Sequence, residues 1–279
     1  MLFCYPLYIG VNEMIISIKG AGEIASAIAW RLYMANIRKI FMMECSRPLA
    51  VRRNVSFCEA VYDGTSEVEN VRAVLCHDVS EIERCWQNET IAVTVDPTGQ
   101  LLTQLPVNVV VDAVMAKQNL GTTMGDAQLV IGLGPGFIAG RDVHVVVETN
   151  RGHDLGRILL SGSAEPNTGI PGSIDGYTEQ RVLRAPAAGR FISNKKIGDC
   201  VEKDDILGRV DNMAVSAQIN GILRGLIRPD SEVRKGLKIG DIDPRRQKDY
   251  CHTISDKARA ISGSVLEAVL RVFPPGQNL

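Results

Sequence analysis

Two glycines between a short apolar run and an amphipathic stretch constrain this chain more than any other feature. Residues 15–32 read IISIKGAGEIASAIAWRL, so an apolar run ends at Gly20-Ala-Gly22-Glu-Ile-Ala25 and a helical pattern follows. Ile24, Ile28 and Leu32 recur at every fourth position with Ala25 and Ala29 beside them, the period of one buried helix face. A strand that turns into a helix at glycine leaves backbone N–H groups at the positive end of the helix dipole, where a phosphate fits. G-x-G-x-x-A is the dinucleotide fingerprint with alanine as its third small residue, which lets helix and strand pack closely. Gly20, Gly22 and Ala25 are therefore candidate cofactor-binding positions; the plainer reading is a strand–helix turn that binds nothing. The next apolar run, Ile40 to Met43, ends at Glu44, 22 residues beyond Gly22 and near where a ribose-binding acid is expected. A solvated strand-end carboxylate is the alternative for Glu44.

Further apolar runs at 71–75, 91–95, 107–114, 129–133 and 143–147 are short and rich in β-branched residues, as buried parallel strands are. Ser80 and Glu83 have the spacing of a capping box between the first two. The alternation predicts an α/β chain with a Rossmann-like doubly wound sheet over residues 14–176. From Arg181 the texture changes to short runs separated by Gly, Asp and Lys, and the stretch repeats itself at a constant offset of 32. Ala185 matches Ala217, Gly189 matches Gly221, Val201 matches Val233, Lys203 matches Lys235 and Gly208 matches Gly240, with Leu207 opposite Ile239. Two copies, each too small to close a core, predict interlocked β halves and a small all-β barrel-sandwich hybrid of the biotinyl/lipoyl type over 177–245. The hairpin that presents a modifiable lysine in such domains corresponds to Val210-Asp-Asn-Met-Ala-Val215, which has none, so a docking or structural module is expected. Residues 246–279 resume helical spacing at Ile254, Ala258, Ile261, Val265 and Val269. Residues 1–13 lack the basic start and cleavage site of a signal peptide and are expected to be a disordered tail or a misassigned start, with Met14 opening the first strand.

Lys and Arg number 31 against 32 Asp and Glu, so no overall field draws the chain to nucleic acid or to a membrane surface. No apolar stretch approaches the roughly 18 residues of a spanning helix. Seven cysteines, odd in number and never spaced C-x-x-C, argue against a disulfide framework and a zinc cage, and point to a cytoplasmic protein. Three polar clusters suit a ligand. Arg47, Arg52 and Arg53 follow Glu44 and could clamp a phosphate or a pterin-linked pyrophosphate; a solvated loop is the alternative. The stretch from Asp112 through Lys117 and Asn119 to Thr122 and Thr123 leads a strand into a lysine and hydroxyls, which suits an anionic ligand, with a helix N-terminus carrying an ordinary exposed lysine as the alternative. Gly132-Leu-Gly134-Pro-Gly136 permits close backbone approach, and Arg151 and His153 follow as sources of charge and acid/base function, or as a flexible turn with a surface histidine. Cys58 reads as an inert buried thiol. Spacing alone yields no metal site and no catalytic residue.

Taken in order, KGAGEIASAIAWRL, PLAVRRNVSFCEAVYDG, DAVMAKQNLGT, IGLGPGFIAGRDVHVVVETNRGHDLGRI, KIGDIDPR and ISDKARAISGSVLEAVL closely resemble the selenium-dependent molybdenum hydroxylase system protein family, also called the YqeB family. The resemblance runs from about Met14 to about Val272. It implies a bacterial accessory protein for maturation of selenium-containing molybdenum hydroxylases, with a hydroxylase client and a selenium donor as partners. It names no catalytic residue; Gly20, Gly22, Lys117, Gly134, Gly136 and Arg151 carry over only as motif positions. The expected function is thus an accessory protein that binds a nucleotide of NAD(P) type or a molybdopterin-type cofactor. An NAD(P)-dependent oxidoreductase and a non-catalytic scaffold are the alternatives.

Overall fold

The computed structural model describes residue 10 and residues 13–274, so the expectation for residues 1–13 falls almost wholly outside the described residues. The chain divides into two compact units. The first comprises the residues up to Pro48, Phe57–Asn167 and those from Ser255 onward; the second comprises Leu49–Ser56 and Thr168–Ile254.

The first unit runs β1 (Ile15–Lys19), α1 (Glu23–Met34), β2 (Lys39–Glu44), the four-residue α2 (Ala60–Asp63), β3 (Thr65–Val68), β4 (Val71–Cys76), α3 (Val79–Gln87), β5 (Ile91–Val95), β6 (Val109–Asp112), β7 (Leu129–Leu133), β8 (Val145–Val147) and β9 (Ile158–Leu159), and α4 (Asp256–Val272) returns from the far end of the chain. The apolar runs become β2 and β4 to β8 because residues such as Ile40, Val93, Val110, Ile131 and Val146 are wholly buried there. Among the described residues they form one nine-stranded sheet in the order β3-β4-β5-β2-β1-β6-β7-β8-β9. Helix α3 starts earlier than the Ser80–Glu83 spacing suggests. Asp78 is its N-cap, accepting from Glu81 N at 2.9 Å, and Glu81 reaches back to His77 N.

The sheet corrects the expectation of a Rossmann-like doubly wound fold. It is mixed, since β3 and β9 run antiparallel to their neighbours at the two edges. It is also not wound by helices throughout: β6 to β7 crosses over through loop and one 3₁₀ turn, and β7 to β8 through loop alone. Those crossovers are rich in glycine and short polar residues and have no 3.6-residue apolar period, so they bury no helix face. The helix α4, with Ala258, Ile261, Val265 and Val269 all buried, packs along α1 instead. Its N-cap Ser255 bonds Glu23 Oε1 at 2.7 Å, and Arg259 pairs with Glu69 and lies over the Trp30 ring.

Inside this sheet His144 accepts from Val130 N through Nδ1 at 3.0 Å, and burial lowers its pKa. The folded state thus prefers the neutral ring, while the unfolded chain takes up a proton near pH 6.5. Stability from this site is full well above pH 6.5 and declines as pH falls from there toward the lowered folded value. Urea unfolding at pH 7.5 and pH 5.5 is expected to show a drop that His144→Gln abolishes.

The second unit contains β10 (Val182–Arg184), β11 (Gly189–Ile192), β12 (Cys200–Val201), β13 (Ile206–Val210), β14 (Met213–Ser216), β15 (Gly221–Leu226), β16 (Glu232–Val233) and β17 (Lys238–Asp243). They form two four-stranded antiparallel sheets, β10-β17-β15-β12 and β14-β13-β11-β16, which replaces the expected biotinyl/lipoyl-like barrel-sandwich hybrid. The repeat explains their pairing. The short β12 of the first copy joins β15 of the second, and β16 of the second joins β11 of the first. Ala185, Ala217, Val201, Val233, Leu207 and Ile239, all matched across the repeat, lie in one core. The matched glycines lie where a side chain would collide: a Cβ on Gly208 would come 2.7 Å from Ile192 O, and one on Gly221 would come 2.5 Å from Asp243 O. The β13–β14 hairpin turns at Asp211 and Asn212 and carries no lysine.

A buried ion network crosses the first of these sheets. Asp241, without exposed surface, accepts from Arg181 and from Arg224, whose Nε is 2.8 Å away, and Lys238 Nζ lies at 3.5 Å. Asp243 pairs with Arg224 at 3.2 Å and with Arg245 at 2.6 Å. Four of these residues lie in the KIGDIDPR stretch.

Candidate functional site

The carboxyl ends of β1, β2, β6 and β7 bring three sequence-distant clusters together. Gly20 has φ +91°, which glycine tolerates, and its N–H donates to Met43 O at 2.7 Å. Ala21 O accepts from Cys58 N at 2.8 Å and Ser26 Oγ at 3.0 Å, so the turn is held from behind. Gly22 is the N-cap of α1, has an ordinary φ of −72°, and a Cβ there would meet no heavy atom within 4 Å. The opening N–H groups of a helix have no partner within it, and the α1 N-cap has no side-chain cap bond. Ala25 is buried in α1 on the packed face.

The loop after β6 lies between two glycine turns. A Cβ on Gly20 would come 3.2 Å from Ala113 O, and one on Gly136 would come 2.7 Å from the backbone N and Cα of Gln118. Met115 and Lys117 in this loop are both left-handed, with φ of +60° and +64°, a conformation that costs free energy in residues with a side chain. Lys117 is exposed. Gly134 backs onto Thr149, so the close approach that Gly134 and Gly136 permit is taken up by the protein's own chain.

Charged side chains line these strand ends in a regular way. Glu44 and Asp112 close β2 and β6, while Asp96 and Glu148 follow β5 and β8 by one residue. Each carboxylate accepts backbone N–H groups of a loop. Glu44 takes Ala21 N and Cys45 N, both at 2.8 Å; Asp96 takes Gln100 N and Leu101 N; Asp112 takes Val114 N; Glu148 takes Thr149, Asn150 and Glu165 N. A carboxylate has about four acceptor positions, so half-buried Glu44 keeps capacity for a ligand donor. Lys19, last in β1, donates to Asp126 at 2.7 Å and Thr122 Oγ1 at 2.8 Å, and Thr122 donates to Asp112 at 2.6 Å. Thr122 belongs to the Asp112–Thr123 cluster read from the sequence, whereas Lys19 and Asp126 escaped notice although Lys19 adjoins Gly20; position at a strand's carboxyl end was the available signal for Lys19.

Arg151 reaches the first turn of α4, forking onto Asp256 at 2.7 and 2.8 Å. Through Asp256, Ser255 and Glu23 it is linked to the residue after Gly22. His153 is exposed on the same loop. Arg52 and Arg53 instead belong to the second unit. Buried Arg52 donates to the carbonyls of Tyr250 and Thr253, the latter at 2.8 Å, and Arg53 donates to Leu226 O at 2.8 Å. Arg53 also lines an open cavity of about 490 Å³ with Asn54, Lys195 and Lys196. Cys58 is buried, and burial pushes its thiol pKa up. No group of three or more metal-ligating side chains is found among the described residues.

Fold and site define an α/β unit with a polar sheet end, joined in one chain to an antiparallel β unit. No family model matches the chain. It is 47% identical over 265 residues to the Uncharacterized protein YqeB of Escherichia coli (strain K12), which supports the YqeB resemblance. The match covers 95% of this chain and 49% of the relative, so the chain spans about half the length of the curated relative it matches. Among solved structures it is similar to an aspartoacylase family protein from Mesorhizobium loti, 10% identical over 76% of this chain and 58% of that one, with a TM-score of 0.25. It is also similar to a succinylglutamate desuccinylase from a Silicibacter species, 13% identical over 85% and 86%, with a TM-score of 0.25. Scores this low carry neither chemistry nor an element assignment to this chain. No described helix is long and apolar enough to cross a membrane.

Proposed function

We propose that this chain is an accessory protein in the maturation of selenium-dependent molybdenum hydroxylases, holding a nucleotide or a molybdopterin-type cofactor at the sheet end around Gly20, Gly22 and Glu44. The observation that carries the reading is the glycine turn itself: it is pinned by Met43, Cys58 and Glu44 and opens at Gly22 onto empty space. A phosphate would take the N–H groups of the turn, and the spare acceptor positions of Glu44 would take ribose hydroxyls or pterin N–H groups. The second unit, lacking a carrier lysine, would dock the hydroxylase client or a selenium donor. Balanced charge supports a small ligand and a protein partner over nucleic acid or membrane.

Calorimetry with molybdopterin dinucleotide, CTP and NAD(P) tests this, with Gly22→Asp as the decisive variant. Aspartate is a good N-cap, so the variant is expected to fold with stability unchanged or raised by a few tenths of a kcal/mol. Its carboxylate occupies the donors a phosphate needs, so affinity is expected to fall at least about tenfold, or ~1.4 kcal/mol. Absence of binding to all of these ligands, with Gly22→Asp supporting hydroxylase maturation as well as the parent chain, would overturn the reading. Binding of nicotinamide nucleotides with NADH oxidation would favour an oxidoreductase. A client complex that survives substitution of Gly20, Gly22 and Lys117, without ligand binding, would favour a scaffold.

A further inference from the structure

Two cysteines that look unrelated in the sequence meet in the first unit. Cys76 closes β4, Cys85 lies on α3, and their Sγ atoms are 3.1 Å apart, about 1 Å beyond a disulfide bond of ~2.05 Å. Non-bonded carbon atoms in optimal contact lie about 3.5–4.0 Å apart, so the sulfurs are closer than apolar packing alone brings atoms. Both thiols are free and buried, with Cys85 7% and Cys76 1% exposed. Ile15, Phe41, Ile82 and Ala92 surround them. The strand end and the helix that carry the pair are fixed by sheet pairing of β4 to β5 and by the Asp78 cap of α3, so the approach is built into the fold.

We propose that Cys76 and Cys85 are a reactive dithiol that a hydroperoxide converts into a disulfide joining β4 to α3. The Cys85 thiolate attacks the terminal peroxide oxygen; an S–O bond forms, the O–O bond breaks, and the leaving oxygen takes a proton as an alcohol, or as water from hydrogen peroxide. Cys76 sulfur then attacks the Cys85 sulfenic acid; the S–S bond forms, the S–O bond breaks, and the hydroxyl leaves as water with the Cys76 proton. Two electrons pass from the two thiols to the peroxide. The division of labour follows from the surroundings. The hydrogen bond from Cys76 draws the Cys85 pKa down to about 6 against the effect of burial, with help from Thr90 and Arg84 and opposition from Glu81. The same bond, with burial, pushes Cys76 up, so it remains the protonated partner. β1, β2 and β5 present Ile15, Phe41 and Ala92 to the pair, none of them titratable.

The full chain treated with hydrogen peroxide, blocked with a maleimide and digested is expected to yield one linked peptide pair carrying residues 76 and 85, lighter by two hydrogens and reopened by dithiothreitol. Cys76→Ser is expected to stop at a Cys85 sulfenic acid that dimedone traps, with Cys76→Ala as the substitute if serine disturbs the core. The rate of Cys85 oxidation in the parent chain is expected to fall about tenfold between pH 7 and pH 5, as the thiolate fraction does. The proposal is overturned if exposed Cys45 and Cys200 oxidise fully while the 76–85 link fails to form. It is equally overturned if Cys85 reacts only above pH 8, as an ordinary thiol would.

Discussion

Replacing Asp241 with alanine is expected to cost the second unit about 3–5 kcal/mol, the penalty for removing one partner of a buried ion pair. Asp241 has no exposed surface, and Arg181 and Arg224, which donate to it, are 6% and 8% exposed. Without the carboxylate, Arg181 loses this ion pair while its bond to the neutral Gly172 carbonyl stays, and Arg224 keeps Asp243 at 3.2 Å. Two buried guanidinium groups would then be left without the Asp241 charge. Asp241→Asn keeps the shape and removes the charge, so a loss nearly as large is expected, which separates electrostatics from packing. Urea unfolding read by hydrogen exchange in β15 and β17 measures both; losses under about 1 kcal/mol would show that the network is inessential.

The same residue gives the second unit an acid limit. Burial alone would raise the Asp241 pKa, but Lys238, Arg224 and Arg181 outweigh it, and the net shift is downward. The unfolded chain therefore binds a proton at higher pH than the folded one, near the ordinary value of about 3.9. The contribution is full above that value and is lost as pH falls through the lowered folded pKa. Stability of the parent chain is expected to fall steeply below about pH 4, and that of Asp241→Asn less so.

Gly136→Ala is expected to cost the first unit roughly 3 kcal/mol, combining a backbone conformation unfavourable to L-residues with overpacking. Its φ is +112°, and the new Cβ would lie 2.7 Å from the backbone N and Cα of Gln118, atoms that cannot swing aside. Gly22→Ala is the contrast: with φ −72° and open space around it there is no clash or backbone strain, and only the roughly 1 kcal/mol or less that alanine gives up against glycine as an N-cap is expected. Thermal unfolding of the two variants distinguishes a glycine kept for the protein's own packing from one that faces open space. A Gly136→Ala variant as stable as the parent chain would mean the 113–121 loop is free to move away.

Much of the architecture is legible because its signals are local. The apolar runs at Ile40, Ile91 and Leu129 and the four-residue period at Ile254 to Val269 become β2, β5, β7 and α4. The 32-residue repeat places matched apolar residues in one interior, while the exchange of β12 and β16 between the two copies shows only in the structure. The mixed sheet was not legible: β9 has two residues, β3 has four, and neither carries a pattern that marks an edge or a direction. The dimensions of the site were half legible. Glycine positions flagged the turns, yet Gly22 faces open space while Gly134 and Gly136 face the chain itself.

What the sequence by itself determined was roughly where the buried strands, the glycine turns and helices α1 and α4 lie, and which residues are apolar, charged or permissive of positive φ. Only the tertiary structure decided what the charges do. Glu44, Asp96, Asp112 and Glu148 look alike as acids after strands, and Arg52 looks like a phosphate clamp, but their partners are mainly backbone N–H and C=O groups. Every residue except proline carries both groups, so such a bond leaves no mark on the partner's side chain. For Arg52 those partners lie 198 and 201 residues away, a distance that only folding closes.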